Sequence, residues 1–145
     1  MIRFFSAICT AVVIILVCAC STATMASLSK EEKEKMQTAL FKAPYLKVFI
    51  AIVEVFHDKE YYIENADEWF GSITTKWKVD KDVRRKINAT LEGVAENTTK
   101  VRLKYSVQKQ TEHGWYSTED DMGIYTAKKY YKKYFDLIRR KLKRK

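Results

Sequence analysis

Glycine, histidine and cysteine are all in short supply, and each shortage removes a class of chemistry. Four glycines in 145 residues leave no Gly-rich loop to cradle a phosphate. Two histidines, His57 and His113, with no other ligand beside them, put a Cys/His zinc site out of reach. Of the three cysteines, Cys9 and Cys18 fall within the apolar start of the chain, so Cys20 has no partner left for a disulfide. Serines and threonines occur without any nucleophile motif. His57 and Asp58 are adjacent, and adjacent helical residues point about 100° apart, so a helix-end histidine near the negative end of the dipole is the plainer reading. Glu119-Asp120-Asp121 lacks the spaced ligands and glycine of a calcium loop. The expectation is a protein that is not an enzyme and needs no cofactor or metal.

What is present begins with an apolar run at residues 4–17, preceded by Arg3 and followed by Val17-Cys18-Ala19-Cys20-Ser21. A positive start, an apolar core and small residues at a cut site form a secretory signal. Two rivals stay open: an uncleaved spanning helix over residues 2–19, and plain cleavage after Ala26 with Thr24 three positions from the cut. An aliphatic residue three before Cys20, a small residue just before it, and the thiol itself resemble the lipobox of bacterial lipoproteins. That resemblance implies a thioether lipid on Cys20, cleavage after Ala19 and acylation, such as by palmitate, of the new amino terminus. Ser21, where Asp would imply inner-membrane retention, implies the outer membrane, facing the periplasm.

The domain plan is a signal at 1–19, a flexible tether of small residues at 20–29 and one domain at 30–145, a length suited to a single core. Charge is distributed unevenly. Of 27 Lys and Arg, ten lie from position 128 onward against Asp136 alone, while residues 1–127 hold seventeen of each sign.

Ser29-Lys30-Glu31-Glu32 can cap a helix, although residues 36–41 also read as a short edge strand. Behind Pro44, Leu46, Phe49, Ile50, Val53 and Phe56 repeat at helical spacing, widened by Val48, Ile52 and Val55. Period two follows: Tyr61 and Ile63, a turn at 65–68, then strands over 72–79, 83–92 and 100–108, with Ile73, Thr75, Trp77 and Val79 sharing one face of the first of these three. Residues 110–124 read as a loop. A last helix at 125–142 carries the stripe Ala127, Tyr131, Tyr134, Phe135, Ile138 and Leu142. The expected fold is α+β, a two-layer sandwich of order α-β-β-β-β-α, with two helices on one face of an antiparallel sheet of four strands, or five if 36–41 joins it.

Lys35-Met36-Gln37-Thr38, Phe41, the corner His57-Asp58-Lys59-Glu60-Tyr61-Tyr62-Ile63, Asp67 and Gly71-Ser72-Ile73 resemble a group of small bacterial lipoproteins. Those share a Met-Gln-Thr-Arg strand and a helix closing in an Asp-x-Gly-Phe-x-Ile corner. Ala39 and Glu60 depart from the pattern at its Arg and Gly. The element order is also similar to the helix-grip repeats of the outer-membrane assembly lipoprotein BamC, a likeness of fold that carries no function.

Candidate contact residues fall in two sets. Lys132, Lys133, Arg139, Arg140, Lys141, Lys143, Arg144 and Lys145 suit an anionic surface, such as phospholipid headgroups or lipid A phosphates, with a solvated helix face as the bland reading. Export argues against nucleic acid. Trp69, Phe70, Trp115 and Tyr116 suit a protein partner, if they are exposed rather than buried; Trp77 is expected in the core. The function expected is a lipid-anchored accessory or scaffold docking to an envelope complex. The alternative is a periplasmic module holding a lipid or hydrophobic ligand between helices and sheet.

Overall fold

The computed structural model describes residues 23–144. Its backbone is a long hairpin of β5 (Val83–Ala95) and β6 (Thr98–Thr111). Strict alternation explains it: Ile87, Ala89 and Leu91 face Tyr105, Leu103 and Val101 across the ladder, and all six are buried. The charged residues between them point to the other side.

Shorter strands complete the sheet on both flanks. Toward the β5–β6 turn, β1 (Thr38–Phe41) pairs with β6, while β3 (Ser72–Thr75) pairs with β5 and β2 (Ile63–Asp67) lies beyond it. Toward the other end, β4 (Lys78–Asp80) pairs with β5 and β7 (Gly114–Ser117) with β6. The class is α+β, as expected, but the antiparallel sheet has seven strands rather than four or five. Two further expectations fail for local reasons. The stretch 72–79 breaks at Lys76-Trp77, where the Lys76 N–H turns to the Tyr62 carbonyl at 2.8 Å, and 110–117 closes as a hairpin through Gly114 at φ +110°.

Three α-helices are present among the described residues, not two. α1 (Lys30–Gln37) is started by a complete capping box between Ser29 and Glu32 and runs straight into β1, so 30–41 is helix and strand in succession. α2 (Tyr45–Asp58) and α3 (Ile124–Lys143) cover the apolar sheet face. α3 buries the expected stripe, with Leu142 half-buried at its end. α2 is rotated from expectation: Val48, Phe49, Ala51, Ile52, Val55 and Phe56 are buried, whereas Leu46 and Ile50 stay exposed. Its apolar residues run nearly all round, so contact with α3, seen in Phe56 against Tyr134, selects the buried arc.

The supposed tether is not free. Met25 is buried, its N–H bonds to the Met122 carbonyl at 2.8 Å, and the Ile124 N–H bonds back to Ala23 at 3.0 Å. The segment from Ala23 onward is therefore packed on the domain, and the signal and Cys20 lie outside the described residues.

Candidate functional site

The outward side of α3 exposes Lys128, Lys129, Lys132, Lys133, Arg139, Arg140 and Lys143, followed by Arg144. Spacings of three and four put them on one side because the opposite side carries the buried stripe. A helix of 20 residues is about 30 Å long, so the cations form a stripe along the molecule rather than a cluster at its end. Asp136 is the one acid in it. Its carboxylate accepts from Lys132 at 2.5 Å and Arg139 at 3.0 Å, and these pairs hold its pKa below the usual carboxylate value.

Lys141 differs from its neighbours. Half-buried, it turns to α2 and meets Asp58 at 2.7 Å and Glu54 at 3.8 Å, lowering the Asp58 pKa chiefly through that hydrogen bond. It is a clamp between helices, which corrects its assignment to the anionic-surface set. Asp58 faces Lys141 as that clamp's partner rather than serving His57. Lys145 lies outside the described residues.

The two aromatic pairs part ways. Trp69 and Phe70 sit in the β2–β3 turn, 97% and 85% exposed. Asp67 accepts the Phe70 N–H at 3.0 Å, Tyr45 donates to the Glu68 carbonyl at 2.6 Å, and Gly71 takes φ +62°. The turn is fixed while its side chains stand in solvent. Trp115 is instead half-buried on the polar sheet face, and Tyr116 is exposed. The Arg84 guanidinium lies between Trp115 at 4.4 Å and Trp77 at 4.6 Å, and its Nε donates to Gln108 at 2.7 Å. Trp77 is thus not core: the break at Lys76 turns it to the polar face.

A tyrosine cluster, missed from the sequence, lies where α3 crosses the sheet. Tyr105 and Tyr130 stack at 3.7 Å, Tyr130 meets Tyr134 at 4.7 Å, and the Tyr61 and Tyr130 hydroxyls are 3.3 Å apart. Burial pushes Tyr61 and Tyr105 up to about 12 and raises Tyr130, Tyr131 and Tyr134 as well. The spacing Tyr130, Tyr131, Tyr134 was the available signal, and it was legible only as stripe.

Asp120 pairs with Lys33 at 3.2 Å and thereby fastens the 118–123 loop to α1. Among the described residues, no three His, Cys, Asp or Glu side chains are placed to hold a metal ion, and no helix is long and apolar enough to cross a membrane. No protein-family model matches the chain, and comparison with curated proteins gives no match.

Proposed function

We propose that this is a non-catalytic, lipid-anchored accessory protein of the bacterial cell envelope, tethered through Cys20 to the outer membrane on its periplasmic side and docking there to a protein complex. The observation that carries the reading is the cationic stripe of α3 and where it begins. The chain enters the domain at Ala23, hydrogen-bonded to the first residue of α3. Three residues span at most about 11 Å, so a lipid on Cys20 keeps that end of α3 close to the bilayer. The helix then lies along the surface with its cations toward lipid phosphates, each contributing about 1 kcal/mol near an anionic leaflet. Trp69 and Phe70, at the β5–β6 turn end of the sheet and remote from that entry, remain available to a protein partner.

The carrier alternative has less in its favour. Between helices and sheet, Ile52, Phe56, Ile73, Ile87, Leu103 and Ile138 are completely buried, and the grooves of the molecule lie on its outside.

Membrane fractionation of the full chain beside Cys20→Ser tests the anchor, and vesicle flotation tests the stripe. Lys133→Gln, Arg140→Gln and Lys143→Gln combined should lower binding to anionic vesicles by about a hundredfold at low salt, with unchanged thermal unfolding. Lys141 is left in place because its loss would loosen α2. Equal flotation of the triple variant would remove the membrane role of α3.

A further inference from the structure

A second feature of α3 lies on its flank rather than its outer face. Between α1 and α3, along the free edge of β1, runs a surface groove of about 640 Å³. Leu28, Met36 and Ala39, packed at the margin of the core, and the buried Phe135 give it an apolar floor. Lys35, Lys128, Lys132 and Arg139 stand along its rim. Glu32 is the one acid there, and its carboxylate is already engaged, accepting the Ser29 N–H at 2.9 Å. Thr38 lines the wall, and its buried hydroxyl has no hydrogen-bond partner among the described residues.

The combination defines the ligand chemistry. A free phosphate would meet the cations and leave the apolar floor wet; a neutral acyl chain would cover the floor and leave Lys35 and Lys128 without an ion-pair partner among the described residues, Lys132 and Arg139 sharing Asp136. One molecule carrying both an anionic phosphate ester and a hydrocarbon chain satisfies both. α1 has no buried residue of its own, so Met36 faces this groove as the apolar part of an otherwise polar helix. The groove also shares α3 with the stripe, which under the proposed function lies against a phospholipid leaflet.

We infer that the α1–α3 groove binds a single anionic phospholipid from the membrane on which the protein sits, with the phosphate between Lys35 and Lys128 and one acyl chain over Ala39 and Phe135. This rests on the membrane reading for its source of ligand. It adds a stoichiometric site to what is otherwise a diffuse attraction.

The test uses the full chain on phosphatidylcholine vesicles doped with phosphatidylglycerol bearing a diazirine on one acyl chain. Photolysis and peptide mapping should place adducts on Met36, Ala39 or Phe135. Ala39→Trp fills the floor without changing charge and should abolish those adducts while flotation persists. Lys35→Gln with Lys128→Gln should lower adduct yield per bound protein about tenfold, whereas Lys129→Gln with Lys133→Gln, outside the groove, should lower flotation and leave that yield unchanged.

Adducts confined to the outer face of α3, or equal labelling by a diazirine phosphatidylcholine, would overturn the site and leave the stripe standing. Should the wild type not float at all, the membrane reading falls. The groove then stands or falls on titration with monomeric dihexanoyl-phosphatidylglycerol, in which saturable shifts of the Met36 methyl resonance must vanish in Ala39→Trp. Saturable binding of an acidic peptide, with no lipid response, would assign the groove to a protein instead.

Discussion

Two short stretches, Trp69-Phe70-Gly71 and Gly114-Trp115-Tyr116, look alike in sequence, each a tryptophan and a second aromatic beside a glycine at a turn. Folded, they are opposites. The first is a crowded turn whose aromatics touch little, and the second is an uncrowded hairpin whose tryptophan is tied down. An alanine Cβ at Gly71 would stand 2.3 Å from the Leu91 carbonyl oxygen, while at Gly114 it would meet nothing within 4 Å. Conversely, Trp115 stacks on Arg84, and Trp69 is 97% exposed. An aromatic held out by a fixed backbone is a presented surface; an aromatic stacked on a guanidinium is part of the sheet.

High pH should separate the two tryptophans most strongly. Burial beneath α3 pushes the phenols of Tyr61 and Tyr105 up to about 12, against about 10 in an unfolded chain. Between those values the unfolded chain has released protons that the folded one retains. Stability is therefore complete below about pH 10 and declines as pH climbs toward 12. With Tyr130, Tyr131 and Tyr134 raised in the same sense, the domain should unfold cooperatively within that window. In single-tryptophan variants, emission from Trp115 should shift to the red at that point, while emission from Trp69, already in water, should barely move. Phenolate absorbance rising smoothly near pH 10 with no change at Trp115 would refute the burial of the cluster.

At neutral pH the backbone difference comes next. Gly71→Ala places a side chain at φ +62° against a backbone carbonyl, and should cost about 3 kcal/mol or more in urea denaturation. Gly114→Ala, at φ +110° but in open space, should cost about 1–2 kcal/mol. Similar costs at both glycines would mean that the first turn is no more crowded than the second.

The side chains themselves should show the reverse order. Trp115→Ala and Arg84→Ala each dismantle the stack and should cost about 1–2 kcal/mol. Trp69→Ala and Phe70→Ala should fall within about 0.5 kcal/mol of the parent. Reduced recovery of crosslinked envelope proteins with Trp69→Ala, at unchanged stability, would be the mark of a contact surface.

The contrast also marks where the sequence can be read. Alternation gave the inner face of β5 and β6 residue by residue, because a half-buried strand permits one pattern. The stripe of α3 was nearly as plain, since lysine and arginine fill most of the rest of the helix from Lys128 onward, although Tyr130 and Leu137 also pack beside it. Trp77 and the arc of α2 were not legible. The first depended on a strand break with no glycine or proline to announce it, and the second on a neighbouring helix choosing among apolar residues that run nearly all round. Nor did composition show that Lys141 turns inward while Lys143 does not, or that Lys35 and Lys128, 93 positions apart in the chain, meet across one groove.

The smallest effect concerns a third left-handed position, where no glycine stands. Glu60 adopts φ +59° in the corner between α2 and β2, a conformation that favours glycine. A side chain there strains the backbone, but its carboxylate accepts from Lys78 at 2.7 Å. Glu60→Gly removes both the strain and the pair. Exposed ion pairs contribute little, and Lys78 still donates to the Lys59 carbonyl at 3.3 Å, so relief of strain should win. Glycine's greater freedom in the unfolded chain offsets part of the gain, leaving a rise in Tm of about 2 °C. The pH dependence supplies a second check. Lys78 holds the Glu60 pKa below its ordinary value, so the pair's contribution is present above the ordinary carboxylate range and is lost as pH falls through the lowered pKa. The advantage of Glu60→Gly should therefore grow as the solution is acidified. A Tm below the parent at neutral pH would mean that the Lys78 pair, rather than the backbone, governs this corner.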